Sequence, residues 1–96
     1  MAAELFESIC RFRLYQNYPN PFNSVTSVKF DLPFISDVEL TVFNVLGQQI
    51  IKVKKAQLAA GSHVIRLDMN RRASGLYFYR LKAGRRKAIK KLLLVK

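Results

Sequence analysis

The side chains able to do chemistry are few and far apart. The 96-residue sequence holds one histidine, His63, and one cysteine, Cys10. A lone His and a lone Cys cannot assemble a zinc site between them. Neither a GxSxG nucleophile elbow nor a phosphate-binding P-loop occurs. His63 stands in an alternating stretch with Ile65 and Leu67, and no carboxylate or nucleophile pattern supports it as a base. It reads as a packed or rim histidine. The acids Asp31, Asp37, Glu39 and Asp68 are scattered, and their spacing does not argue for paired-carboxylate chemistry. Cys10 has no partner for an intrachain disulfide and reads as a thiol in an upstream segment. These residues point to a protein that is not an enzyme and needs no cofactor or metal.

Positive charge is what the sequence has in excess. Lys and Arg number 17 against six acids, a net charge of +11, and from Arg66 onward Asp68 is the only acid. Such a surface attracts anionic partners, whether nucleic acid, lipopolysaccharide or an acidic protein groove, or it is simply a solvated face. The run Tyr77-Phe78-Tyr79-Arg80 could stack bases and hold phosphates. In a strand, however, Tyr77 and Tyr79 take one face and Phe78 the other, so core packing accounts for them and nucleic-acid binding is not argued for. Half of the residues are hydrophobic, enough for one modest core. No apolar run approaches the roughly 18–20 residues of a membrane-spanning helix.

Short strands must position whatever site exists. Pro19 and Pro21 each fix one φ angle and remove one backbone donor. They also push Tyr18 and Asn20 toward extended backbone, so residues 14–23 read as a stiff lead-in. The period is two thereafter. Val28, Phe30 and Leu32 share a face until Pro33 stops the strand; Val38, Leu40 and Val42 follow in a second strand. A turn at 44–47 calls for positive φ at Gly47. A third strand covers 49–55, Gly61 closes the next connection, and a fourth strand covers 62–68. Residues 69–75 form a polar loop ending at Gly75, which is expected to tolerate alanine. Strands at 76–82 and 87–95 complete the chain. Strand starts about 10–14 residues apart, with no long helix between them, indicate an antiparallel sandwich of six or seven strands. The predicted core is Val28, Phe30, Leu40, Val42, Ile65, Leu67 and Phe78. Residues 1–13 read as a linker remnant or frayed turn, lacking the basic and apolar regions of a secretory signal.

The last strand is unusual. Lys87 and Lys91 share a face with Ile89, and Lys90 lies with Ala88 and Leu92, before the apolar run Leu92, Leu93, Leu94, Val95 and the final Lys96. That composition suits an edge strand whose charges hinder aggregation. Lys87, Lys90 and Lys91, with residues 92–96, are the candidate recognition surface, open to strand addition by a partner.

Gln16, Asn17, Tyr18, Pro19, Asn20, Pro21, Phe22 and Asn23 match, letter for letter, the Q-N-Y-P-N-P-F-N block that opens a known family. The chain resembles the C-terminal sorting domain of the type IX (Por) secretion system, type A. Further blocks at 38–47, 60–63 and 74–81 and the basic last strand extend the resemblance over residues 14–96. It implies an immunoglobulin-like β-sandwich over 14–96 that carries an N-terminal passenger from the periplasm across the outer membrane. The implied partners are the type IX outer-membrane machinery and a surface sortase that removes the domain, leaving the passenger secreted or attached at the cell surface. Family proteins carry a Sec signal and a passenger; neither is read here, so the expectation is an excised domain, a truncated reading frame, or a chain not exported as it stands. The rival reading is a structural or adhesive Ig-like module of a surface or flagellar hook-capping-like protein.

Overall fold

The computed structural model describes residues 11–96. Seven strands form: β1 (Arg13–Leu14), β2 (Val25–Leu32), β3 (Ser36–Phe43), β4 (Gln49–Leu58), β5 (Gly61–Asp68), β6 (Gly75–Ala83) and β7 (Arg86–Leu94). They make two antiparallel sheets, one ordered β1-β2-β5 and the other β4-β3-β6-β7. The connections β2–β3, β4–β5 and β5–β6 each cross between sheets, which gives the immunoglobulin-like sandwich. Pairing begins at Arg13, which lies opposite Asp31; the N-terminal segment up to residue 10, with Cys10, lies outside the described residues.

The two-residue period builds the core directly. Val28, Phe30 and Leu32 of β2 face Val38, Leu40 and Val42 of β3 across the sandwich, joined by Ile65 and Leu67 of β5. β6 corrects one expectation. Its buried residues are Tyr77, Tyr79, Leu81 and Ala83, whereas Phe78 is half-buried on the outer face, opposite Phe43. Parity decides this: Leu81 and Ala83 can enter the core only if the two tyrosines enter with them. The tyrosine hydroxyls find acceptors there. Tyr77 donates to the Ala73 carbonyl at 2.6 Å, a link back across the corner before β6.

Other departures also have local causes. Met69, expected in a polar loop, is fully buried, and its N–H donates to the Ser24 carbonyl at 2.7 Å. Thr41 faces outward yet is covered, because β3 is a central strand with Lys52 on one side and Arg80 on the other. β4 runs on to Leu58, as an exposed edge strand. Gly75 has φ +153°, a conformation that favours glycine, so alanine there would be strained.

Gly47 meets its expectation, with φ +80° in a turn closed by its N–H donating to the Asn44 carbonyl at 2.9 Å. No atom lies within 4 Å of where a Cβ would stand, so a side chain there would strain only the backbone. Gly47→Val should therefore lower stability by about 1–2 kcal/mol through the left-handed conformation alone. An unchanged denaturation midpoint would contradict the turn geometry.

Candidate functional site

The proline block is an extended strap that starts on one sheet and ends on the other. Following β1, Tyr15 N–H donates to the Lys29 carbonyl at 3.0 Å, and Tyr18 exchanges two 2.9 Å backbone bonds with Ser27. The strap therefore leaves along β2. Both the Tyr18–Pro19 and Asn20–Pro21 peptides are cis. Phe22 then bridges Leu94 in the parallel sense, its side chain buried in the core.

The strap closes part of an open edge. β7 ends its sheet, and antiparallel pairing turns alternate residues' backbone groups away from β6. Leu93 is one of these outward residues. Its N–H donates to Asn20 Oδ1 at 3.1 Å, and its carbonyl accepts from Phe22 N–H at 3.1 Å. Val95 N–H donates to the Phe22 carbonyl at 2.8 Å, and Gln16 Nε2 donates to the Lys91 carbonyl at 2.6 Å. The same alternation turns the backbone of Lys87 and Ile89 outward, beyond the strap's reach. Among the described residues β7 is thus sealed from the Lys91 carbonyl to Val95 and open before it.

Asn17 and Tyr79 fix the strap in place. The Asn17 side chain is buried; its Nδ2 donates to the Pro19 carbonyl at 3.1 Å and to Thr26 Oγ1 at 3.0 Å, and its Oδ1 accepts from Gln16 Nε2 at 2.7 Å. Thr26 Oγ1 donates to the same Pro19 carbonyl at 2.8 Å. Tyr79, from the middle of β6, accepts from Asn17 N–H at 2.9 Å and donates to the Tyr15 carbonyl at 2.8 Å. These bonds satisfy a polar strap laid against the core. Without them each buried group would cost free energy.

The sequence-derived site residues divide by role. Asn17 and Phe22 are buried; Gln16, Pro19, Asn20, Pro21 and Asn23 are exposed at the surface of the strap. Gly47, Gly61 and Gly75 lie in or beside the turns expected of them, distant in sequence from the strap. Within the last strand Leu92 and Leu94 are core residues, whereas Lys87, Lys91, Leu93, Val95 and Lys96 are exposed. Lys90, expected to be open, is half-buried on the Leu92 side. Tyr79 and Thr26 escaped sequence reasoning as partners of the strap: Tyr79 lies more than sixty residues away, and Thr26, though only nine residues from Asn17, sits in a strand whose period carries no sign of a side-chain bond to the strap.

A second cluster anchors the lead-in on the outer face of the β1-β2-β5 sheet. Asp31 accepts from Tyr15 Oη and from Ser62 Oγ, both at 2.6 Å. The Arg13 guanidinium and the Lys29 ammonium lie 5.0 and 4.8 Å from the Tyr15 ring centre. Burial pushes the Asp31 carboxyl up, but the Ser62 and Tyr15 hydrogen bonds and the Lys29 and Arg13 charges more than offset it, leaving the group below its ordinary 3.8.

Two measurements follow from this chemistry. Tyr79→Phe leaves Asn17 N–H and the Tyr15 carbonyl without their partner and should cost about 1–3 kcal/mol in chemical denaturation. Burial pushes the Tyr79 hydroxyl up to about 12, the Asn17 N–H offsetting part of that rise. The unfolded chain therefore loses this proton first: the contribution is complete below pH 10 and declines as pH rises toward 12. Tyr79→Phe should remove that alkaline component. At the other extreme, Asp31 contributes fully above pH 3.8 and loses its contribution as pH falls through the lower folded value. Asp31→Asn should flatten the acid limb of a stability–pH curve, and an unchanged limb would contradict the cluster.

Comparison with known proteins places this geometry. Residues 16–96 match the family described as Secretion system C-terminal sorting domain, a match that begins at the first residue of the strap and runs to the end of the chain. No curated protein matches the chain. Because the match takes in the strap and six of the seven strands, this chain belongs to the family of type IX secretion C-terminal sorting domains.

Proposed function

We propose that the domain is a non-catalytic sorting signal, read by the outer-membrane machinery through the open part of the β7 edge. The supporting observation is the division of that edge, with the strap bonded to Leu93 and Val95 while Lys87 and Ile89 face outward ahead of it. An open edge offers backbone donors and acceptors to an incoming strand, and alternate side chains supply selectivity. Here those side chains would be Lys87, Ile89 and Lys91, all exposed. Leu92 and Leu94 hold the strand on the core instead, with Lys90 half-buried on their side, and Leu93, Val95 and Lys96 mark the sealed end. The passenger would lie N-terminal to the strap. Export would run from the periplasm to the surface or medium, with a surface sortase removing the domain and the passenger attached to the cell surface.

Ile89→Pro tests the edge reading with little threat to the fold. Its N–H faces away from β6, and proline is accepted in edge strands at such positions. Fused behind a signal-bearing reporter in a bacterium with type IX machinery, residues 14–96 should carry the reporter to the surface or medium. Ile89→Pro and the pair Lys87→Glu with Lys91→Glu should leave it in the periplasm while the purified domains still melt cooperatively. Normal export of both folded variants would rule out recognition through this edge. A periplasmic wild-type fusion would overturn the sorting reading and favour the adhesive-module alternative.

A further inference from the structure

The outer face of the β4-β3-β6-β7 sheet concentrates charge of one sign. The residues opposite in parity to Leu40 and Leu81 are Lys52 and Lys54 on β4, Arg80 and Lys82 on β6, and Lys87 and Lys91 on β7. Two acids of β3 share that parity: Glu39, whose Oε1 lies 3.5 Å from Lys52 Nζ, and Asp37, whose Oδ1 accepts from Gln57 N–H. Lys82 and Lys87 stand directly opposite one another, a like-charge pairing that Glu39, on the other side of Lys82, offsets only in part. Arg80 Nε is buried without a hydrogen-bond partner among the described residues, and its guanidinium carbon lies over the Phe43 ring, 5.1 Å from the centre. That face therefore holds several cations that other groups of the described residues leave uncompensated.

Apolar side chains are set among these cations. Leu76 and Leu93 are cross-strand partners with 38% and 39% exposure, and Ile89, opposite Arg80, is 63% exposed. Long lysine stems beside exposed leucine and isoleucine suit a headgroup layer, where ammonium groups reach phosphates while apolar tips enter the acyl boundary. Nucleic acid fits less well. Arg80 already covers the Phe43 ring, and the neighbouring Phe78 is half-buried, so this face offers no open ring on which bases could stack.

We infer that the outer face of the β4-β3-β6-β7 sheet docks on a bilayer bearing anionic phospholipid headgroups, with Lys54, Lys82, Lys87 and Lys91 at the phosphates and Leu76, Ile89 and Leu93 at the acyl boundary. This face shares Lys87, Ile89 and Lys91 with the β7 edge, but docking on it needs no secretion machinery. Sedimentation of the whole 96-residue chain with vesicles tests it. The chain should pellet with phosphatidylcholine vesicles containing phosphatidylglycerol, and stay in solution with phosphatidylcholine alone. Lys87→Glu, on the edge strand opposite Lys82, replaces a repulsive cross-strand pair with an attractive one and should fold at least as well, yet bind roughly tenfold more weakly or worse, since each basic residue near an anionic surface matters severalfold. Lys91→Glu, at an exposed site, should show the same loss and guards against a folding defect in the first variant. Ile89→Ser should also weaken binding. Arg66→Glu makes the same charge change on the outer face of the other sheet and should leave binding within about twofold. Equal losses for Arg66→Glu and Lys87→Glu would reduce the effect to net charge and overturn the assignment. Absence of binding would also overturn it. So would binding that ignores Ile89→Ser and is displaced by polyglutamate, which would make an acidic polypeptide the partner.

Discussion

A strand at the edge of a sheet leaves every second backbone donor and acceptor without a partner, and β7 meets that constraint by borrowing one from upstream. The strap supplies Asn20 Oδ1 and the backbone of Phe22 to Leu93 and Val95, and Gln16 Nε2 to the Lys91 carbonyl. It can do so only if its own polar groups are satisfied where it crosses the core. Asn17 turns inward onto Pro19 and Thr26, and the Tyr79 hydroxyl takes the Asn17 N–H while giving its proton to the Tyr15 carbonyl. A polar strap sealed in this way also delivers Phe22 to the core. It sets where the sheet ends and therefore which part of β7 another chain could reach.

Most of the fold was legible because β-strands state their faces every second residue. Val28, Phe30, Leu40, Val42, Ile65 and Leu67 are all in the core that the alternation indicated. Gly47 likewise has the positive φ its turn required. Phe78 was misplaced because apolarity was weighed above parity; its neighbours Leu81 and Ala83 draw the two tyrosines inward. Met69 was missed because one apolar residue in a polar loop carries no period. The strap's purpose was the least legible feature. The prolines declared that residues 14–23 were neither helix nor central strand, but nothing local indicates that Asn17 meets Tyr79 or that Asn20 meets Leu93. Such pairings, more than sixty residues apart in sequence, exist only once the sandwich has closed.

The last strand shows how one segment serves two demands. Leu92 and Leu94 are buried and tie β7 to the core beside Phe22. Lys87, Ile89 and Lys91 point outward, and their composition serves an exposed edge, since lysines discourage unspecific pairing while leaving the backbone accessible. A basic stretch followed by an apolar one looks inconsistent when read as a single surface. It becomes coherent when the open end of the strand and its sealed end are treated separately.

Amide hydrogen exchange tests most directly whether the strap is the structural cap of β7. The Leu93 and Val95 amides, bonded to Asn20 and Phe22, should exchange only through the same large-scale opening that frees the core. The outward Ile89 amide of the same strand should exchange rapidly. In Asn20→Ala the Leu93 amide should lose protection while the amides between β3 and β6 keep theirs. Rapid exchange of Leu93 and Val95 in the unmodified protein, at the rate of Ile89, would contradict the account.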